Sequence, residues 1–310
     1  MKRQILAFAA AGAVLFAACG SDSSSTPATN APDTSAPDTT AGGTETTAAA
    51  GGDAKACAQG KTLDAATLTI ATGDPAFPPY VIDDKPESGK GFESALALAV
   101  AKELGFEGDA VKWVRTSFDT AVAGDDKTFD FNLQQFTINP DRQKVVSFSD
   151  PYYTANQALI GATDGPAKDV KSIADLKALK LGAAAGTTSL QYINDVIKPT
   201  AEAFEFNSNA DAATALDNGQ IDAIISDLPT AIFWAAAGTA NGGIDNTKVF
   251  GQFPLGDQGG DQWGLLLAKD NPLVECTNIA LANLTASGDL DKITTEWMSN
   301  YTEAPTLPAS

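Results

Sequence analysis

From residue 68 onward, short apolar runs alternate with stretches in which apolar positions recur every three or four residues. Residues 68–72 read as a strand. Residues 92–104 read as a helix whose apolar stripe is Phe92, Ala95, Leu96, Ala99 and Val100, closed by Gly105. Strands at 111–114, 130–133 and 157–160 follow, with a helix at 118–123 among them. A second series comprises strand 180–184, helix 189–197, strand 203–206, helix 210–218, strand 223–226 and helix 229–236. Strands at 248–250 and 264–267 come next, then two terminal helices, the first over 272–287 and the second ending near Trp297. A βαβ rhythm run twice predicts two α/β lobes. Residues 219–223 loosely echo the position of 128–131 in the first series.

The segment ahead of this body has a different character. Met1, Lys2 and Arg3 precede an apolar run over 5–18, shorter than the roughly 20 residues of a membrane span. Residues 1–18 therefore read as an export signal. The run ends Leu15-Phe16-Ala17-Ala18-Cys19, which resembles the bacterial lipobox and makes Cys19 the lipidated N-terminus of the mature chain. Phe16 stands where that motif usually has Leu, and ordinary cleavage beside an incidental cysteine is the alternative. Residues 20–52 are dominated by Ser, Thr, Ala, Pro, Asp and Gly and contain no aromatic residue. Such a segment buries too little apolar surface to offset ordering, so 19–52 reads as a lipidated cysteine and a disordered tether. Acyl chains on Cys19 would hold the protein to the outer face of the cytoplasmic membrane.

Composition narrows the function. With both ends set aside, roughly 240 residues remain, enough for two lobes of ordinary size. A net charge of −19 argues against nucleic acid as a partner. Histidine is absent, which removes His-based triads and His metal sites, and no cofactor or metal is expected. Cys57 and Cys276 form an even pair once Cys19 is set aside. In an exported chain the pair suggests a structural disulfide from the segment before the first strand to the helix over 272–287. Two separate thiols are the other reading.

The densest chemistry lies between Asp130 and Tyr153. Asn139-Pro140 marks a turn and a helix start, which places Arg142 at a loop-to-helix junction. Arg142, Thr137 and backbone N–H groups near Gln135 then converge in a way that suits a small carboxylate. A surface Arg beside a helix cap is the bland alternative. The motif Thr137-Ile138-Asn139-Pro140-Asp141-Arg142, followed by Val146-Ser147-Phe148-Ser149-Asp150-Pro151-Tyr152-Tyr153, resembles the extracytoplasmic solute-binding proteins of polar amino-acid ABC transporters. Resemblance extends to Asp74, Phe77 and Tyr80 within Ala71-Thr72-Gly73-Asp74-Pro75-Ala76-Phe77-Pro78-Pro79-Tyr80, and to Gly91-Phe92-Glu93. Further on it takes in Gly186-Thr187-Thr188 and Gly219-Gln220-Ile221-Asp222-Ala223.

The resemblance implies a two-lobe periplasmic-binding-protein-like (type II) fold, with two interlobe crossings and a ligand cleft between the lobes. The crossings fall near 153–157 and 251–261, giving lobe one over 57–154 plus 256–303 and lobe two over 155–255. It implies that Arg142, supported by Thr137, receives the ligand carboxylate, with Gly186, Thr187 and Thr188 contributing from a helix start in lobe two. That Gly-Thr-Thr also reads as a plain N-cap. Asp227 and the backbone carbonyl of Gln135 are implied for the ammonium, although Asp227 also reads as the N-cap of the helix after it. Phe77, Tyr80 and Phe118 match positions that wall the cleft and read equally as core, and Asp74 and Glu93 lie near it. Gln134 and Gln135 stand where Ser or Thr is common, which bears on which ligand is held.

The leading expectation is a monomeric, lipid-anchored binding protein that delivers an amino acid, or a close relative, to a membrane ABC permease, and is not an enzyme. A same-fold ligand sensor without a transporter is one alternative. The other is a small dehydratase-like enzyme using Glu93 or Asp74 as its acid or base.

Overall fold

The computed structural model describes residues 52–124, 127–253 and 260–308. The expected export signal, Cys19 and nearly all of the tether lie outside the described residues. The helices and strands are, in order, α1 (Ala54–Ala58), β1 (Leu68–Thr72), α2 (Phe92–Glu103), β2 (Val111–Arg115), α3 (Phe118–Val122) and β3 (Phe131–Asn132). Next come β4 (Val146–Ala155), β5 (Gln157–Ala162), β6 (Leu181–Ala184), α4 (Thr188–Tyr192), β7 (Phe204–Phe206) and α5 (Asn209–Asp217). The chain ends with β8 (Ala223–Asp227), α6 (Leu228–Ala237), β9 (Thr247–Phe253), β10 (Asp261–Ala268), α7 (Leu273–Ser287) and α8 (Asp289–Met298).

Two five-stranded sheets organise these elements, in the orders β2-β1-β3-β10-β4 and β7-β6-β8-β5-β9. In the first, β1 is parallel to β2 and β3, and β10 is antiparallel to β3 and β4. In the second, β6 is parallel to β7 and β8, and β5 is antiparallel to β8 and β9. Each sheet is thus a βαβ core extended by antiparallel strands, the expected two-lobe α/β architecture. Only Asn156 separates β4 in the first sheet from β5 in the second. The other link, from β9 to β10, runs through residues 254–259, outside the described residues.

Alternation along the strands explains why helices cover both faces. Leu265 and Leu267 face α2 and α7, where Phe92, Leu96, Val100, Leu273 and Leu284 complete one core. Leu266 faces the opposite way, onto Ala71, Phe129, Phe136, Val146 and Phe148. The second sheet divides likewise, with Leu159, Ala223 and Ile225 on one side and Ala158, Ile160 and Ile224 on the other. Cys57 and Cys276 are bonded, with Cα atoms 5.4 Å apart, and tie α1 to α7.

Four local features differ from expectation. The longest strand, β4, is absent from the sequence reading because Pro151 lies within it; it is tolerated because β4 is an edge strand, irregular in register opposite Gly264. The strand expected over 130–133 shrinks to Phe131–Asn132, although the amides of Asp130 and Leu133 still donate to Thr69 O and Ala71 O of β1; the Asp130 carboxylate accepts from the amides of Leu63 and Thr69 (both 2.7 Å). The helix start at Asn139-Pro140 yields a single 3-10 turn, Arg142–Lys144, with Asn139 Oδ1 accepting from the Arg142 amide. The helix expected over 189–197 is α4 followed by a π turn, Ile193–Ile197.

The C-terminal tail was not anticipated. Beyond α8 the chain returns to the second sheet, where the Gln252 amide donates to Pro305 O and the Leu307 amide to Gln252 O. Leu307 is buried in that sheet's core. Gly251 makes the fit possible, since a Cβ there would collide with the Leu307 side chain.

Candidate ligand-binding site

A cleft lies between the two sheets. From the first sheet's side it is lined by Asp74, Phe77, Tyr80, Glu93, Phe118, Gln134, Gln135, Thr137 and Arg142. From the other side come Thr187, Thr188, Ser189, Asn207, Ser208 and Asp227. Every site residue read from the sequence borders this cleft except Gly186, which enters through its carbonyl.

Arg142 sits in the short turn after Asn139 and is only 8% exposed. Its Nη1 donates to Thr137 O (2.7 Å), its Nη2 to Gly186 O (3.0 Å), and its guanidinium lies 5.2 Å over the Phe118 ring. Burial pulls its pKa down to about 10, against the pull of Asp261 and Asp227, so it stays protonated at neutral pH. Thr137 therefore meets Arg142 through its carbonyl, leaving its hydroxyl 3.5 Å from that of Thr188. Gly186, at φ +70°, offers a carbonyl to Arg142 where the sequence reading looked for an N–H donor to an anion. Thr187 is the cap that the alternative reading described: its Oγ1 accepts from the Leu190 amide (3.2 Å).

The Gln135 amide was also expected to face a carboxylate ligand. It is instead taken by Glu93, whose Oε1 accepts it at 2.8 Å, while Oε2 accepts the Gln135 side chain at 2.5 Å. Tyr152 donates to the same carboxylate at 2.5 Å. These bonds hold Gln135 in the left-handed region at φ +51°, a conformation that few non-glycine residues adopt. Burial pushes Glu93 from its ordinary 4.5 up to about 7, the hydrogen bonds opposing. Two carboxyl oxygens that already serve three donors are committed to shaping the cleft wall.

Asp227 ends β8 at the C-terminal edge of its sheet. Its side chain does not cap α6; Oδ1 accepts instead from Gln157 Nε2 at 2.7 Å. Burial and the nearby Asp261 push its pKa well up, with Arg142 and Gln157 pulling it back. Tyr80 reaches across to Thr230, hydroxyl to hydroxyl at 2.9 Å, and packs edge-on against Phe77 and Trp263. Phe77, Tyr80 and Phe118 all line the cleft, and Tyr80 is also part of the core.

Sequence reasoning missed Gln157 and Asp261, which join the site from the first positions of β5 and β10. A polar residue opening an otherwise apolar strand, as in Gln157-Ala158-Leu159-Ile160, was the available sign. Asn207 and Ser208, at the start of α5, carried no sign beyond a helix cap.

The chain is similar to several known proteins. ABC transporter arginine-binding protein 1 of Escherichia coli (strain K12) is 28% identical over 227 residues, which span 71% of this chain and 86% of that protein. An ancestral arginine-binding protein, solved bound to arginine, matches with a TM-score of 0.63 at 30% identity, over 75% of this chain and 98% of the other. An ancestral amino-acid-binding protein, a precursor of cyclohexadienyl dehydratase, matches with a TM-score of 0.61 at 31% identity, over 75% and 95% of the two chains. The family signature matches residues 68–300, and the chain belongs to the bacterial extracellular solute-binding proteins, family 3.

Proposed function

We propose that the chain captures a free α-amino acid in the cleft and delivers it to a membrane ABC permease. One observation carries this reading: a buried guanidinium, Arg142, and a half-buried carboxylate, Asp227, enter one cleft from opposite lobes. A zwitterion bridging them satisfies both only when the lobes are together, so ligand and closure favour each other. Arg142 receives the carboxylate with Thr187 and Thr188 beside it, and Asp227 with the Gln135 carbonyl receives the ammonium. Phe77, Tyr80 and Phe118 wall the side chain, and Asp74, Gln134, Asn207 and Ser208 supply polar ends for it. With Asp74 and Asp227 lining the cleft and Arg142 its one lining cation, a cationic or amide side chain suits it better than an acidic one.

The enzyme reading loses its strongest acid, because the Glu93 carboxylate is already bonded to Gln135 and Tyr152. Lipid attachment at Cys19 belongs to the same proposal. Cys19→Ala is expected to release the protein from the membrane fraction, and retention there would refute it.

The direct test is a thermal-shift panel on refolded protein against the proteinogenic amino acids. A ligand at 100 times its Kd adds about 2.7 kcal/mol and raises Tm by several degrees. Stabilisation by one or a few amino acids, basic or amide-bearing ones first, supports the proposal; no shift from any of them refutes it.

A further inference from the structure

The geometry points to a latch at the interlobe crossings, built from Gln157, Asp261 and Thr188, through which an ammonium on Asp227 favours closure of the lobes. This inference rests on the reading of Asp227 as the ammonium acceptor. Gln157 is fully buried and follows Asn156, the single residue between β4 and β5. Its Nε2 has two hydrogens, one for Asp227 Oδ1 (2.7 Å) and one for Asp261 Oδ2 (2.9 Å). Its Oε1 accepts from Ser189 Oγ at 2.6 Å, which holds the amide in this orientation. Asp227 and Gln157 are register partners within the second sheet, whereas Asp261 opens β10 in the first. Thr188, the first residue of α4, donates to the same Asp261 oxygen at 2.7 Å. Asp261 is therefore a first-lobe carboxylate received by two second-lobe donors.

The latch carries a built-in opposition. Closure places two carboxylates, the half-buried Asp227 and the buried Asp261, around one amide nitrogen, and each disfavours ionisation of the other. Arg142 lies close enough to act on both, but one cation does not neutralise two anions. A positive charge on Asp227 removes the repulsion that resists Asp261 entering the latch. By reciprocity, a closed latch raises the affinity for that charge.

The test uses spin labels on exposed positions of the outer edge strands, Lys112→Cys on β2 and Glu205→Cys on β7, with the native disulfide kept. Asp261→Asn retains an acceptor for Gln157 and Thr188 while deleting the charge. Ligand-free Asp261→Asn is expected to shift its interlobe distance toward the shorter, ligand-bound wild-type value, and its further change on adding L-arginine is expected to shrink. Thr188→Val, which removes one donor, is expected to shift the ligand-bound distance the other way even at L-arginine concentrations that calorimetry shows to saturate the variant. Ligand-free distances identical in Asp261→Asn and wild type overturn the latch, as does an unchanged bound distance in Thr188→Val. Calorimetry with L-arginine and the other proteinogenic amino acids runs alongside. Failure of all of them to bind defeats the amino-acid reading itself, while the ligand-free distances still judge the charge repulsion.

Discussion

Burying the Arg142 guanidinium is tolerable because two carbonyls and the Phe118 face replace lost water, and two carboxylates lie near. Removing it strips the cleft of its cation, so Arg142→Ala is expected to weaken amino-acid binding by about 2–5 kcal/mol, read by calorimetry. Arg142→Lys should also bind poorly, because a point charge cannot reproduce the planar fork. Affinity near wild type in both would take Arg142 out of the site. Glu93 makes a different prediction. Its pKa is about 7 in the fold against an ordinary 4.5, so the folded state holds a proton that the unfolded chain has released. Its effect on stability is thus most favourable below about 4.5 and declines as pH rises towards 7, by up to about 3 kcal/mol. Glu93→Gln should flatten that part of the profile in urea unfolding at pH 5 and 7.5; an unaltered slope would deny Glu93 the role. At this scale, Arg142, Thr137 and Asp227 were legible because they sit in recognisable motifs. Gln157 and Asp261 were not, since they meet only when two chain crossings come together.

The first turn of α2 depends on the backbone of Gly91. Its φ is +106°, and a Cβ there would collide with the Tyr80 carbonyl. The same turn carries Glu93 and so fixes Gln135. Gly91→Ala is expected to destabilise by at least about 1–3 kcal/mol and to weaken ligand binding as well, checked by unfolding and calorimetry on one variant. The Cys57–Cys276 bond closes a separation of 219 residues but lies away from the cleft lining. Reducing it, or replacing both cysteines with Ser, should cost about 2–5 kcal/mol and lower Tm, while the folded protein keeps its affinity. Helices with a clear apolar stripe, such as α2, matched their sequence pattern to within a residue or two. Edge strand β4 did not, because proline denies a strand by local rules and only its place at the sheet edge allows it.

Across the whole molecule, the tail beyond α8 ties the end of the chain to the second sheet. Besides burying Leu307, it accepts from the amides of Gln252 and Ile173 through Pro305 O and Pro308 O. Truncation after Thr302 is expected to destabilise by about 2–3 kcal/mol, mainly from the lost leucine burial. Amide exchange should rise at Gln252 and Ile173 before it rises in the first sheet; uniform protection would show that the tail contributes nothing. The sequence by itself determined the alternation of strands and helices, the division into two α/β lobes and the motifs holding Arg142 and Asp227. Each of these follows from local periodicity or from a spacing within one stretch of chain. Tertiary structure alone decided that the tail returns to the second sheet, that Gly186 offers a carbonyl, and that Glu93 serves Gln135. It also decided that Gln157 links Asp227 to Asp261. Those contacts join residues far apart in the chain, and their hydrogen bonds depend on side-chain directions that no local pattern encodes.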